Sequence, residues 1–462
     1  MRRLIVCLFL IFSLIASASP VRAQDTSPDR PVYVVQEGDS LFSIAIKFGV
    51  TVDDLINANT LANPDLLSAG MELVIPGLEG VRGRLVTETI TLGQTLRTLS
   101  IRHQIAPEQI MRLNRITSPM EVFAGASLVI PQVDDAVLYE GRAVLEPGLS
   151  LFQLAVVTNN NPWLLAETNQ AEQAWQLLPG ETIFAAGGNG PAVNLISPLI
   201  DDLTINPLPL VQGFATSIVV TASQPVELSG SLAGYPLQFF PAGDGKQVAL
   251  QGIHAMTDPG IYPVTLEGRL QDGKSFSFEQ MVVLQAAGYS REVINGVDPA
   301  TIDPTVTDPE NKQIDTLVAN ASPEKLWDGV FISPGYDPEW ITSWYGTRRA
   351  YNGGSYDFFH TGIDYGGAPG TPIKSPAPGT VIFAGPLTVR GNATIIDHGW
   401  GVYSGFWHQS EIQVQVGERV STGQVIGLVG GTGRITGPHL HWEIWVNGVQ
   451  VNPLLWLTQV YP

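Results

Sequence analysis

Cysteine is all but missing from this sequence: Cys7 is the only one in 462 residues. It lies inside an apolar N-terminal stretch, too early to serve as a lipid acceptor, so the mature chain is expected to hold no thiol and no disulfide. Basic residues are also scarce, 24 against 43 acidic ones, for a formal charge of -19. Such a field repels phosphate backbones and excludes nucleic acid as a partner. Long hydrophobic runs are lacking too. The stretch Leu4 to Ala16 spans 13 residues, short of the roughly 20 that cross a bilayer, and no later segment offers more, so no transmembrane anchor is expected.

What is present begins with a leader. Arg2 and Arg3 precede the apolar stretch, and small and polar residues from Ser17 to Gln24 follow it, with Val21, Arg22 and Ala23 as an A-x-A-like end. Residues 1–23 therefore read as a secretory signal peptide, and the protein as exported to the cell envelope, periplasm or medium. Cleavage removes three arginines and no acid, taking the charge from -19 to -22. A chain without cysteine after export must be held by cores rather than staples. Its 44% hydrophobic content, with 10 Trp, 12 Tyr and 17 Phe, suffices for several cores despite 48 Gly and 34 Pro. The length implies several domains.

A threefold repeat follows the leader. Gly38, Gly93 and Gly148 are 55 positions apart, as are Leu55, Ile110 and Leu165, then Asn59, Asn114 and Asn169, then Gly70, Gly125 and Gly180. Within the first copy, hydrophobic periodicity predicts a strand (Tyr33 to Val35), a helix (Leu41 to Phe48), a second helix (Val52 to Asn57) and a closing strand (Met71 to Ile75), a small βααβ unit. Copies are expected at 32–77, 85–132 and 138–186. The frame from Tyr33 through Gly38, Asp39, Ser40 and Leu41 to Asn59 and Pro76 resembles the LysM module. The second copy departs from it at Gln94, and the third ends in Ile183, Phe184 and Ala185 without the proline. The resemblance implies binding of N-acetylglucosamine-containing strands in a shallow groove beside the loop after the first strand, which makes Gly38, Asp39 and Ser40 candidate glycan-binding residues. The same residues also serve as folding signals: Asp39 or Ser40 can cap a helix, Asn59 can close a turn, and the glycines can supply positive φ.

From about 192 to 287, short alternating runs at Ser217–Ala222, Val226–Ser231, Leu237–Phe240, Ile261–Leu266 and Phe276–Leu284 are separated by glycine-bearing turns. They predict a β-sandwich of immunoglobulin type acting as a spacer or docking domain. Residues 288–330 follow as a linker. Asp298-Pro299, Asp303-Pro304 and Asp308-Pro309 recur at five-residue intervals, with room for a short helix from Glu310 to Val318 after Pro309.

Chemistry concentrates at the end of the chain. Five of seven histidines, His360, His398, His408, His439 and His441, lie in the last 103 residues. His360 and Asp364 are four positions apart, and on a strand His439 and His441 share one face about 6.5–7 Å apart. Two imidazoles and a carboxylate suit one Zn2+ with three protein ligands and an open fourth position. His398, in an Asp-His-Gly turn, reads as structural. If Tyr403 to His408 is one strand, Phe406 shares the face of His408 and walls the groove, while Tyr403 and Trp407 face the core. From Tyr336 onward eight acidic residues face six basic ones, so the acidity lies upstream.

The segments His360–Asp364, Thr394–Gly399, Tyr403–His408, Gly423–Gly427 and Gly433–Glu443 together resemble the lysostaphin/LytM-type zinc metallopeptidases, over about 331–462. The resemblance implies His360, Asp364 and His441 as zinc ligands and His408 and His439 as catalytic histidines. It also implies a compact, mostly antiparallel β domain with a groove and peptidoglycan peptides as substrate. The sequence thus describes a multidomain, mainly β, secreted zinc endopeptidase held on peptidoglycan by LysM modules. The alternatives are a noncatalytic wall-associated amidase activator and a glycan-binding scaffold.

Overall fold

The computed structural model describes residues 30–61, 67–78, 80–132, 141–145, 148–157, 159–173, 176–177, 182–185, 196–197 and 199–462. The expected leader, Gly180 and the start of the 192–287 segment lie outside them. The described residues fall into two compact units, one within Met1–Thr87 and Val129–Val137, the other within Glu88–Leu128 and Leu138–Pro462. No helix among the described residues is long and apolar enough to cross a membrane.

Each repeat runs strand, helix, helix, strand. The first comprises β1 (Val32–Val34), α1 (Leu41–Phe48), α2 (Val52–Asn59) and β2 (Glu72–Val74). The second holds β3 (Arg84–Thr89), α3 (Leu96–His103), α4 (Pro107–Asn114) and β4 (Ser127–Gln132), and the third β5 (Gly141–Val144), α5 (Leu151–Val157), α6 (Pro162–Thr168) and β6 (Thr182–Ala185). The 55-residue period has a local cause. Gly38, Gly93 and Gly148 all adopt left-handed φ, between +82° and +87°, which a side chain resists. Asn59 donates to Leu55 O and Val74 O and accepts from Val74 N, tying α2 to β2. Asn169 makes the same three bonds to Leu165 and Phe184. Of the candidate glycan residues, Ser40 caps α1 in a capping box with Ser43, and Asp39 accepts from Gln36 N at 2.8 Å and Tyr33 Oη at 2.7 Å.

Residues 202–285 form two sheets that share a core of Ile205, Ile218 and Ala249 from one and Leu232, Val264 and Val282 from the other. Their strands are β7 (Asp202–Asn206), β8 (Leu210–Val211), β9 (Ala215–Thr221), β10 (Val226–Leu232), β11 (Tyr235–Pro236), β12 (Phe240–Pro241), β13 (Lys246–Gly252), β14 (Gly260–Leu270) and β15 (Ser275–Gln285). The orders are β11-β10-β14-β15-β8 and β12-β13-β9-β7.

The segment expected as a linker is built into the C-terminal domain instead. Strand β16 (Arg291–Ile294) pairs in parallel with β18 (Arg348–Tyr351), and Trp327 enters the main core. Helix α7 runs over Pro304–Val318, starting six residues earlier than the sequence suggests and ending at the same residue. Asp303 caps it, Pro304 occupies the first turn where no N–H is needed, and Pro309 is absorbed in the interior. Packing overrides the cost of that proline, because Ile314 and Val318 bury against Tyr403, Trp407 and Trp445. Glu310 accepts from Val389 N at 2.7 Å and from Arg390 N and Nη1 at 3.1 and 2.9 Å. Glu310→Ala strands the Arg390 guanidinium in a partly buried position and is expected to cost about 3–5 kcal/mol, the toll of breaking a buried pair. Urea unfolding followed by tryptophan fluorescence checks it.

The C-terminal domain is a mostly antiparallel sheet in the order β17-β20-β27-β24-β23-β22-β25. The strands are β17 (Ile341–Ser343), β20 (Ile363–Gly366), β22 (Gly379–Leu387), β23 (Gly391–Gly399), β24 (Val402–Ile412), β25 (Arg419–Val420) and β27 (His439–Val446). The short β21 (Pro372–Lys374), β26 (Val425–Val429) and β28 (Val449–Val451) extend it, β19 (Phe358–Phe359) pairs with β18 in a separate sheet with β16, and α8 (Pro453–Trp456) follows β28. Alternation sorts β27 into two faces. Leu440, Trp442, Ile444 and Val446 join the main core, so His439, His441, Glu443 and Trp445 share the other.

Candidate metal centre and groove

Cross-strand register brings the expected ligands together. Asp364 lies directly opposite His441 in the β20–β27 ladder, and Gly366 opposite His439. His360 enters from just before β20. The backbone approaches closely there: a side chain at Gly362 would meet Trp442 O and His441 Nε2, so only glycine fits. His360 Nε2 stands 3.1 Å from Asp364 Oδ1 and 3.0 Å from His441 Nδ1, and His441 Nδ1 2.7 Å from Asp364 Oδ1.

The outer nitrogens decide what those inner atoms carry. His360 Nδ1 faces Trp344 O at 3.1 Å, an acceptor only, so Nδ1 bears the hydrogen and Nε2 the lone pair. His441 Nε2 faces the Glu443 carboxylate at 3.0 Å, so in the neutral ring Nδ1 is likewise bare. Two imidazole lone pairs and a carboxylate oxygen then point at one spot, an arrangement that repels itself unless a cation sits there. These three residues form a group able to hold a metal ion. With protons alone, His441 is pushed up to about 9: its burial disfavours the charge but is outweighed by hydrogen bonds to Asp364 and Glu443. Asp364 is held well below the ordinary carboxylate range, its burial overcome by the two imidazoles.

Glu443 has no role in the sequence-based expectation, although its place two residues past His441 in the same alternation was the available signal. It is buried and receives four donors: His441 Nε2, Thr361 Oγ1 at 2.7 Å, Trp407 Nε1 at 3.0 Å and Gln450 Nε2 at 3.1 Å. A carboxylate behind a ligating imidazole fixes its tautomer and raises its basicity. Glu443→Gln leaves one donor facing an amide N–H, and is expected to weaken metal affinity about 10- to 100-fold. Competition with a chromophoric chelator measures it.

His408 and His439 stand beside this group, their rings 4.9 Å apart and His408 6.2 Å from His441. His408 Nδ1 donates to Thr432 O at 2.8 Å and His439 Nδ1 to Gly437 O at 2.7 Å. Each ring is thereby left with Nε2 as a base. His439 Nε2 lies 3.6 Å from Asp364 Oδ1. Burial, reinforced by charge on His441 and His439, holds His408 down to about 3.

The expected placement of Phe406 on the groove is not what the structure shows. A bulge puts Trp407 and His408 opposite the single residue Ala393, with Phe406 paired to Thr394 and Gln409 to Asn392. His408 takes φ +63°. The extra residue breaks the alternation: Phe406 turns into the main core, while Trp407 sits opposite His441 and reaches Glu443. His398 stands apart and fully buried, with Nδ1 on Pro378 O at 2.7 Å and Nε2 accepting from Ser404 Oγ at 2.9 Å. Burial lowers it to about 4. An unfolded histidine titrates near 6.5, so the folded form resists protonation, and stability that is complete above that value is lost as pH falls towards 4. At about pH 5 the loss from this group is about 2 kcal/mol, readable from urea unfolding at acid and neutral pH.

A cavity of about 590 Å³ is lined by His360, Asp364, His408, His439 and His441 together with Ile294 to Asp298 and Arg434 to Thr436.

The model described as Peptidase family M23 matches residues 358–453, and the LysM domain model matches 33–76 and 89–131. A "DD-carboxypeptidase/endopeptidase Mpg" of Neisseria meningitidis serogroup B is 47% identical over 95 residues, 21% of this chain and 22% of the relative. A "Peptidoglycan DD-endopeptidase ShyA" of Vibrio cholerae is 39% identical over 119 residues, 26% of this chain and 28% of the relative. The chain thus spans about a quarter of the length of these relatives. A solved putative peptidase M23 from Pseudomonas aeruginosa aligns over 56% of this chain and 97% of its own, with 27% identity and a TM-score of 0.41.

Proposed function

We propose, for a chain that carries a peptidase family M23 domain at 358–453 and LysM domains at 33–76 and 89–131, an exported zinc endopeptidase that hydrolyses peptide cross-links or stem peptides of peptidoglycan. The observation that carries this reading is the convergence of His360 Nε2, Asp364 Oδ1 and His441 Nδ1 on one point beside two further imidazoles. Two neutral nitrogens and one anionic oxygen suit zinc with an open fourth position. Bound there, the ion supplies Lewis-acid polarisation of a carbonyl oxygen and brings the acidity of water towards neutral pH.

The chain's own groups do the rest. His360 and His441 are held in the ligating tautomer by Trp344 O and Glu443. His408, kept neutral by burial, and His439 each present Nε2, one to take a proton from the attacking water and one to return it to the leaving amine. Once protonated, either steadies the oxyanion. The names of the Neisseria and Vibrio relatives, a DD-carboxypeptidase/endopeptidase and a peptidoglycan DD-endopeptidase, support a bond between D-centres as the target. The LysM domains, with Gly38, Asp39 and Ser40 in the loop of the first, hold the enzyme on glycan strands and make each further encounter intramolecular. The 192–287 segment serves as an immunoglobulin-type spacer.

Incubating the mature protein with purified sacculi and identifying fragments by mass spectrometry tests the reading. New amine termini in stem peptides are expected, and they disappear with chelator and in His441→Ala. Their absence under every divalent metal overturns it.

A further inference from the structure

Resting on the proposed glycan reading of the LysM domains, and narrowing it, we infer that the second LysM domain is a docking module whose groove is filled by the β-sandwich of the same chain. Two neighbouring loops make that face. One follows the first strand and holds Gly93 and Gln94, the counterparts of Gly38 and Asp39 at the 55-residue period. The other precedes the closing strand and holds Ala124 and Gly125, the counterparts of Ala69 and Gly70. Ile90 ties the two together, its N–H donating to Ala126 O at 2.9 Å and its carbonyl accepting from Gly125 N at 2.7 Å.

In the first domain both loops meet solvent. Gly38, Ala69 and Gly70 are exposed, and a side chain placed at either glycine would enter open space. In the second domain the same loops are covered. Gln280, on β15, accepts from Gly93 N at 2.8 Å through Oε1 and donates from Nε2 to Gln94 O at 3.1 Å. Ala124 bridges to the same strand, its N–H donating to Met281 O at 3.0 Å and its carbonyl accepting from Val283 N at 2.8 Å. Leu92 and Ala124 join the sandwich core with Val282. A side chain at Gly125 would meet Pro209 Cα at 2.8 Å.

The sequence of the second copy is adapted to this cover. Where the first domain has Glu37 and Asp39, the second has Leu92 and Gln94, so two anions give way to an apolar residue and a neutral amide. Both replacements are buried, where an unpaired carboxylate would be costly. Gln94 nonetheless keeps the turn: its Oε1 accepts from Thr91 N at 2.7 Å, as Asp39 accepts from Gln36 N at 2.8 Å. The Gln280 carboxamide presents one donor and one acceptor to the loop's main chain, the same pair that an N-acetyl group would offer. A sugar can therefore bind there only by displacing β15 and exposing Leu92 and Ala124.

Amide hydrogen exchange of the full mature chain, with and without a hexamer of β-1,4-linked N-acetylglucosamine, tests the inference. At a free sugar concentration about 10 times its dissociation constant, exchange is expected to slow about 10-fold over residues 36–41 and 67–72 and to stay unchanged over 91–96 and 122–127. Gln280→Ala removes two hydrogen bonds and is expected to speed exchange over 91–96 about 5- to 10-fold, with circular dichroism unchanged. Slowing by the sugar over 91–96 or 122–127 overturns the inference. So does unchanged exchange over 91–96 in Gln280→Ala, since Gln280 then does not hold the loop. A sugar that protects neither domain, while Gln280→Ala still loosens the loop, upholds the docking and overturns the glycan reading of the LysM domains instead.

Discussion

Asp364→Ala is expected to leave the protein folded but without metal, and to lower hydrolysis more than about 10³-fold, because the charge stabilisation that a bound cation supplies is worth several kcal/mol. Asp364 is the one anion among the three donors, set opposite His441 across β20 and β27. Without it, two imidazole nitrogens 3.0 Å apart remain, with no charge to offset a divalent ion. Folding is spared because the aspartate faces the groove rather than the main core, which is built from Ile363, Tyr365, Leu440 and Trp442 on the opposite face. Metal content after dialysis, measured by atomic emission, and digestion of sacculi provide the readouts. A variant that keeps one ion per chain and full activity would remove the metal centre as described.

His439→Ala and a change at His408 are expected to lower the rate about 10²- to 10⁴-fold, the usual contribution of a positioned proton carrier, while metal content stays intact. Retained metal separates them from the ligands. At position 408 the informative change is His408→Asn, since φ is +63° there and asparagine tolerates the left-handed region better than alanine does. If the two rings serve one proton path, the double variant falls little further than the worse single one, because groups acting as a unit are not additive. Loss of metal in either variant would move that ring into the ligand set.

Much of this was legible because it is local. The repeat is written in glycines with positive φ and in asparagines that bridge helix to strand over 15 residues, as Asn59 and Asn169 do. The residues that the structure gathers into a group able to hold a metal were visible along the chain, since His360 and Asp364 lie within five residues and His439 and His441 on one strand face, while which histidine of that pair joins the group was implied only by the family resemblance. The sequence starts the helix of residues 304–318 too late because Pro309 argues against an earlier start, and the packing that overrides proline comes from Trp407 and Trp445, roughly a hundred residues away. Alternation places Phe406 on the wrong face because it assumes an unbroken strand, and the bulge at Trp407 and His408 shows only against its partner β23.

What the sequence by itself determined, then, is the string of modules, the strand and helix frames within each, and the residue types able to hold a metal and move protons. Only the tertiary structure decided that His360 and His441, 81 positions apart, share one point. It also decided that Glu443 stands behind the His441 ring. The division has a physical reason. Periodicity, capping and turn chemistry act over a few residues and can be read in order along the chain, whereas ligand convergence, burial and unpaired donors depend on cross-strand register, which is set by distant partners.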